Sequence, residues 1–347
     1  MITNHISTAY PWKAGIRGIG RFIPDYAVSN SDLAKHIDTN DSWIRRKTGI
    51  CERHFADEDQ KTSDLAVKAA AMAIQNAGLK PDDIDLIILN TLTPDIRDPA
   101  TAPIIQAQLG AKNAATFDIN VGGCAGGVYG ISIGSMFITG GAYRNVLVIG
   151  ADIMSSIVPW RNRSIASVFG DGAGAVLLSR CTRNGLLSHG LWADGKNWDA
   201  TYIQRGTSGY PYLFGSVNPG FPYSEINGIL DGKKIFNFGT TAFSQSILDV
   251  ATEIGISLNE IDLVISQQAN IIIIQEGMKK LGIPMEKTFT NLHKYGNTSS
   301  GSVYIALNEA LESRPLEPGK IIALTALGAG LSWGAVFFKV NSRDDFN

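Results

Sequence analysis

Two stretches, AGLKPDDIDLIILNT (residues 77–91) and IGISLNEIDLVISQQ (residues 254–268), are built to one plan. Each runs from a helix end through a glycine and a polar turn to Ile-Asp-Leu and a short apolar, β-branched run. A run of this kind, residues 84–90, is the signature of a strand buried on both faces. Ile84 and Ile261 stand 177 residues apart. A second echo follows in the same order. GDGAGAVLLS (170–179) is matched by GLSWGAVFFK (330–339), setting Gly174-Ala175-Val176 against Gly334-Ala335-Val336, 160 residues apart. Two copies of about 170 residues each are too long and too few for a solenoid. They point to a duplicated α/β unit.

The flanking pattern agrees. Residues 62–78, TSDLAVKAAAMAIQNAG, open with Thr62/Ser63 as a cap, carry Leu65, Ala69, Met72, Ala73 and Ala77 at helical spacing, and close on Gly78. VLVIGAD (146–152) reads as another buried strand. Alternating helices and buried strands argue for an α/β architecture. Residues 1–180 form the first half and 231–347 the second. The stretch between them, 181–230, is rich in Gly, Trp, Tyr and Pro and reads as an irregular connection, of a type that often covers an active site.

Composition narrows the function classes. At 347 residues and ~150 residues per domain, the chain makes roughly two domains or one large one. It is 44% hydrophobic and 18% charged, normal for a globular core. A net charge of −2 does not suggest nucleic acid or an anionic membrane as the main partner. No apolar run is long enough to span a bilayer, and the opening MITNHISTAYPWKAG does not read as a secretory signal. Three cysteines, Cys51, Cys124 and Cys181, suggest reduced thiols in a cytoplasmic protein rather than a disulfide framework. The five histidines show no paired metal-ligand spacing and there is no CxxC, so no metal site is expected.

Three places carry candidate chemistry. Cys124 lies in FDINVGGCAGGVYG, where a buried-type run ends near Val121, a Gly-Gly turn follows, and a Gly-rich helix begins. A cysteine at such a turn meets the positive end of the helix dipole, which favours thiolate. The plain alternative is a small, inert core cysteine. Gly130-Ile131-Ser132-Ile133-Gly134 matches GxSxG, but Ser132 falls inside the helix, not on the turn that motif requires. GDGAGA (170–175) lacks a GK[ST] ending and precedes a strand, so it reads as a turn and not a phosphate cradle. The third place pairs ISQQAN (265–270) with KYGNTSSGS (294–302). Gln267 ends the repeated strand and Asn297 stands before a helix beginning near Thr298. Sites form at the carboxyl ends of strands in α/β sheets, although a loop amide and a helix cap would account for both residues.

Together these segments resemble the ketoacyl-acyl carrier protein synthase III family of the thiolase-like superfamily. The likeness runs from about Gly15 to Val340. DTNDSWIRRKTGICERH (38–54) is similar to the family's D-W-I-x-x-R-T-G-I-x-E-R, and GGCAGG around Cys124 to its A-C-A-G turn. FGDGAGAVLLS, QQAN, YGNTSSGSV and GAGLSWG (328–334) follow in the family's order. The resemblance implies a duplicated αβαβα layered fold, a homodimer, and no cofactor beyond a coenzyme A or phosphopantetheine thioester as substrate. It implies that Cys124 takes an acyl group from acyl-CoA or acyl carrier protein, giving an acyl-enzyme. The backbone N–H groups of Cys124 and Ala329 would hold the oxyanion. A His and an Asn, here Asn297, would stabilise the enolate formed from a malonyl thioester, and that carbanion would attack the acyl-enzyme. Trp43 and Arg163 would sandwich the adenine of coenzyme A. Lys47 would lie near its phosphates and Asn270 among the substrate-binding positions.

The departures bear on the chemistry. The family's His-Gln-Ala-Asn reads Gln267-Gln268-Ala269-Asn270. A glutamine amide can donate to an enolate oxygen but cannot shuttle a proton, and losing an acid/base group typically removes ~10²–10⁴-fold in rate. His293, four residues before Asn297, stands where the motif has no catalytic role. Lys47 replaces a common Arg, and Ile272 replaces the Arg that aids carrier docking, leaving Lys279 and Lys280 as docking candidates. Asp98 stands where the partner subunit usually donates an aromatic to the end of the acyl pocket, so the tunnel end is polar or Asp98 turns away. Three functions follow. They are decarboxylative condensation in fatty acid or polyketide-like secondary metabolism, acyl transfer to an O, N or S nucleophile, and a binding role with a degenerate site. Cys124, Asn297 and Trp43 argue against the last.

Overall fold

In the computed structural model, which describes residues 12–204 and 227–346, both copies of the echo do the same mechanical job. Gly78 and Gly255, each at φ +67°, turn the chain out of the preceding helix, a conformation that costs glycine little. One 3₁₀ turn follows, Pro81–Asp83 or Leu258–Glu260. The aspartate of Ile-Asp-Leu then accepts the first N–H of the next parallel strand: Asp85 from Asn145, and Asp262 from Ile321, both at 2.8 Å. The repeated aspartate thus fixes the start of a parallel pair in each half.

The first sheet holds β1 (Lys13–Phe22), β4 (Leu86–Asn90), β5 (Ala115–Ile119), β6 (Asn145–Asp152) and β7 (Gly172–Cys181), in the order β1-β7-β6-β4-β5. The second holds β8 (Gly185–Ala193), β11 (Ile261–Ser266), β12 (Ile321–Gly328) and β13 (Ser332–Lys339), in the order β11-β12-β13-β8. Each sheet runs from parallel pairing, two pairs in the first and one in the second, into two antiparallel pairs. Gly174 pairs with Gly150 and Gly334 with Ala326, the sixth residue of β6 and of β12. Two ribbons complete the strands, β2 (Tyr26–Ser29) with β3 (Glu52–Phe55) and β9 (Thr201–Gln204) with β10 (Asn227–Leu230).

Helices α3 (Thr62–Asn76) and α4 (Thr101–Leu109) cover the outer face of the first sheet; α7 (Gly232–Glu253) and α8 (Ile271–Leu281) cover that of the second. Between the sheets lie α5 (Gly126–Thr139) and α10 (Ser302–Ser313). The result is the five-layered αβαβα arrangement of the thiolase-like fold. The short helices are α1 (Asn30–Leu33), α2 (Asp41–Thr48), α6 (Arg163–Ala166) and α9 (Leu292–Tyr295). Strand alternation sorts the core. Leu86, Ile88, Val146 and Val148 face the central helices, while Ile87, Leu89, Leu147 and Ile149 face α3 and α4. Each such buried aliphatic contributes roughly 1.5–3 kcal/mol. No described helix is long and apolar enough to cross a membrane.

Two expectations need correction. The irregular connection assigned to 181–230 begins with an ordered strand: residues 185–193 are β8, paired to β13 at the edge of the second sheet. That strand contains Gly190 and two polar residues, Ser188 and His189, in its middle, which hid its pattern. Residues 205–226 of that connection lie outside the described residues. The cap of α3 is Lys61, not Thr62 or Ser63. Thr62 instead turns its hydroxyl to the Thr93 carbonyl, 2.5 Å away.

Candidate active site

The nucleophile turn is held from below. Asn90, buried at the end of β4, donates to the Gly123 carbonyl at 2.9 Å and accepts from Val121 at 3.3 Å. Gly122 and Gly123 have φ of +52° and +63°. A Cβ on Gly122 would lie 2.0 Å from the Ala329 carbonyl oxygen, and one on Gly123 would lie 2.8 Å from Ser299 Oγ. Only glycine lets the two halves of the chain close over this turn. Cys124 follows immediately and α5 begins at Gly126. Ser132 lies inside α5 with its hydroxyl on the Val128 carbonyl at 2.9 Å, which disposes of the serine-elbow pattern.

Asn297 arrives from the other half. Its N–H donates to the Val168 carbonyl at 2.9 Å and its carbonyl accepts from Gly170 at 3.1 Å. Its Oδ1 accepts from Ser299 N at 2.9 Å, which orients the amide so that Nδ2 donates to Cys124 Sγ at 3.5 Å. Asn297 therefore starts a 3₁₀ turn, Ser299–Gly301, and α10 itself begins at Ser302 rather than near Thr298. Ser299 Oγ lies 3.9 Å from Sγ.

Burial pushes the Cys124 thiol up to about 11; contacts from Asn297 and Ser299 pull it back, and the charge of Asp152 raises it further. Burial thus opposes the thiolate that the helix field is expected to favour, because desolvation disfavours the charged form. A correction concerns the oxyanion donors. The Ala329 N–H donates to the Gly122 carbonyl at 3.2 Å and is already committed. The cause is the close backbone approach that Gly122 permits.

Cys124, Gln267, Asn297, Ser299 and Ala329 line one cavity of about 1580 Å³. Gln267 is 7% exposed and follows β11, its N–H on the Thr325 carbonyl at 2.9 Å. Its side-chain Oε1 has no hydrogen-bond partner among the described residues. Asn270 lines the same cavity, but its amide caps α8 through Ile272 N at 2.9 Å and donates to the Lys47 carbonyl at 2.9 Å. That ties the exposed Lys47 to the cavity rim. The Arg163 guanidinium lies over the Trp43 ring, 5.1 Å from its centroid, so the two pair with each other. Asp98 is exposed at the cavity edge. Lys279 and Lys280 sit in the last turn of α8, near Glu276 at 3.9 Å and on Thr240 at 3.0 Å.

Sequence reasoning missed Asp152 and Ser299. Asp152 is fully buried and accepts from Leu92 N at 2.7 Å and from Ser300 N and Oγ at 3.1 and 2.6 Å. Its signal was present: an ionisable residue closing the otherwise apolar VLVIGA run.

Residues 117–195 match the family model described as 3-oxoacyl-(acyl-carrier-protein) synthase III, and residues 251–340 match that of its C-terminal part. A beta-ketoacyl-(acyl-carrier-protein) synthase III of Caldanaerobacter subterraneus is 43% identical over 328 residues, covering 94% of this chain and 97% of the relative. The chain belongs to the 3-oxoacyl-(acyl-carrier-protein) synthase III family. A second synthase III, from Listeria monocytogenes, is 41% identical over 94% of this chain and 99% of its own length. Among solved structures, the synthase III of Aquifex aeolicus superposes with a TM-score of 0.84 at 38% identity, covering 94% of this chain and 99% of its own. The priming β-ketosynthase of the R1128 polyketide pathway gives 0.86 at 27% identity, covering 97% and 99%. Synthase III proteins are acyl-transferring condensing enzymes, and this chain is an enzyme of that kind.

Proposed function

We propose that this synthase III takes an acyl group onto Cys124 from a coenzyme A or carrier-protein thioester and condenses it with a malonyl-type thioester, as a cytoplasmic homodimer in fatty acid or polyketide-like metabolism. The observation that carries the reading is the pairing of Cys124 Sγ with Asn297 Nδ2 at 3.5 Å inside a large cavity. Attack of the sulfur on a thioester carbonyl breaks the old C–S bond and forms a new one on the enzyme. The amide that now faces the sulfur is then placed to donate to the enolate oxygen of the second substrate. Trp43 with Arg163, and the Asn270–Lys47 rim, would hold the coenzyme A end; Lys279 and Lys280 would meet an acidic carrier.

A second reading rests on Gln267. A neutral amide replaces the proton-shuttling imidazole, and its Oε1 has no partner among the described residues. An acceptor substrate bearing O–H or N–H would satisfy that oxygen, which favours acyl transfer to a heteroatom. Intact-mass analysis separates the readings. The protein is incubated with a panel of acyl thioesters, then with malonyl thioester or with hydroxyl and amine acceptors. An acyl adduct that Cys124→Ala abolishes, and that malonyl thioester discharges, supports condensation. Discharge only by the heteroatom acceptors supports the second reading. An adduct persisting in Cys124→Ala would overturn both.

A further inference from the structure

Arg53, in β3, is the bulkiest side chain that is wholly closed off from solvent among the described residues. We infer that it is a positioning residue for the active site: its guanidinium anchors the 167–170 segment, which grips the backbone of Asn297, and so sets where the Asn297 amide meets Cys124 Sγ. The inference rests on the role of Asn297 at the sulfur proposed above.

A buried cation is costly unless it is paired. Among the described residues the donors of Arg53 reach backbone carbonyls and no carboxylate. Nη1 donates to the Val28 carbonyl at 3.2 Å and Nη2 to the Ser167 carbonyl at 2.9 Å, while Nε has no partner among the described residues. Burial pulls the guanidinium down to about 10, which leaves it a cation at neutral pH. An apolar side chain would spare that desolvation, so packing alone gives a charge no reason to stand here.

The two carbonyls differ in what they hold. Val28 is the neighbour of Arg53 across the β2–β3 ribbon, so that bond is local. Ser167 opens the segment that holds Asn297. Val168, the next residue, accepts the Asn297 N–H at 2.9 Å, and the Gly170 N–H donates to the Asn297 carbonyl at 3.1 Å. Phe169 between them bridges Asn297 in parallel register. Both backbone groups of Asn297 are thus held by the three residues that follow the carbonyl under Arg53. Two glycines let these pieces close on the arginine. A Cβ on Gly296, at φ +64°, would lie 2.9 Å from the Val168 carbonyl oxygen and 3.3 Å from Arg53 Cβ; one on Gly170 would run into the Tyr295 carbonyl and lie 3.1 Å from Arg53 Cβ. The backbone around β3 makes its own ties to the same pieces, Cys51 N to the His293 carbonyl at 3.0 Å and Asp171 N to the His54 carbonyl at 2.8 Å. Those ties do not need the Arg53 side chain, so a substitution there keeps the frame and loses the hold on residue 167. Nδ2 of Asn297 reaches the sulfur across 3.5 Å, and slack in its backbone is felt in that contact. A misplacement of about 1 Å can cost ~10²-fold in rate.

The test is a double-mutant cycle of Arg53→Met and Arg53→Lys with Asn297→Ala. Cys124 alkylation by iodoacetamide at about pH 8 is read at the Cys124 peptide by mass spectrometry, beside single-turnover acyl loading. Methionine removes the charge and both donors. Lysine keeps the charge but exchanges the planar fork for one ammonium, and it carries the test where urea unfolding shows that the methionine variant does not fold. With Asn297 present, Arg53→Met should slow both rates by about tenfold and Arg53→Lys by about threefold. With Asn297→Ala, neither should change them by more than about twofold, because the amide they act through is gone. Equal losses in both backgrounds would overturn the inference, as would wild-type rates in either folded variant with Asn297 present. Alkylation requires no acyl chemistry. A coupled loss of alkylation in a protein that no thioester loads would sink the acyl-loading role of Cys124 and leave the positioning role standing.

Discussion

Asn297 makes two bonds that one substitution breaks and another separates. Its Nδ2 donates to Cys124 Sγ at 3.5 Å and its Oδ1 accepts from Ser299 N at 2.9 Å. A hydrogen bond to a charged group is worth about 1.5–3 kcal/mol, and the thiolate is the charged form. Asn297→Ala should therefore lower the thiolate population, and with it single-turnover acyl loading, by about 10- to 100-fold. It also strands a buried N–H on Ser299, at about 1–3 kcal/mol of stability. Asn297→Ser separates the effects. A serine hydroxyl accepts from the N–H two residues on, so stability returns toward wild type, but it is too short to reach the sulfur. Urea unfolding reads stability, and intact mass after rapid mixing with acyl thioester reads loading. The serine variant should be stable and slow. Wild-type loading in either variant would refute the role of the Asn297 amide at the sulfur.

Gln267→His should raise malonyl decarboxylation by ~10²-fold or more while leaving acyl loading in place; radiolabelled CO₂ release measures it, and unchanged release would show that position 267 does not gate the second half-reaction. Asp171 is held up to about 6 by burial, against Ser155 and Ala56 donors that pull it down. Its folded form therefore binds the proton more tightly than the unfolded chain, so its ionisation costs about 0.5 kcal/mol at pH 4 and approaches about 3 kcal/mol by pH 7. The stability of Asp171→Asn relative to wild type should rise by about 2.4 kcal/mol between pH 4 and 7, and a difference independent of pH would refute the shift. Asp98→Phe should turn preference toward plain aliphatic acyl chains in competition loading; an unchanged preference would leave Asp98 as a surface carboxylate.

The sheet architecture was legible because each half spells its own mechanics locally. Glycine, polar turn and Ile-Asp-Leu lie within a dozen residues, and the aspartate acts on the strand beside its own. Strand β8 was not legible, since Gly190 and His189 interrupt its alternation and only pairing with β13 holds it. The turn feeding a helix was readable at Cys124 for the same local reason; that Asn297 lies beside its sulfur was implied only by the family resemblance. The state of each donor was not readable. Whether the Ala329 N–H points at a substrate or at Gly122 depends on how closely two loops from opposite halves approach, and Gly122 brings them into contact. The thiol's rise depends likewise on what encloses it. A helix N-terminus is a sequence feature, but the burial that raises the thiol, and the Asn297 and Ser299 contacts that pull it back, come from chain segments far apart in sequence. The duplication brings the end of β6 beneath the 297–300 loop of the second half, where Asp152 accepts from Ser300 and Ser299 lies beside the sulfur.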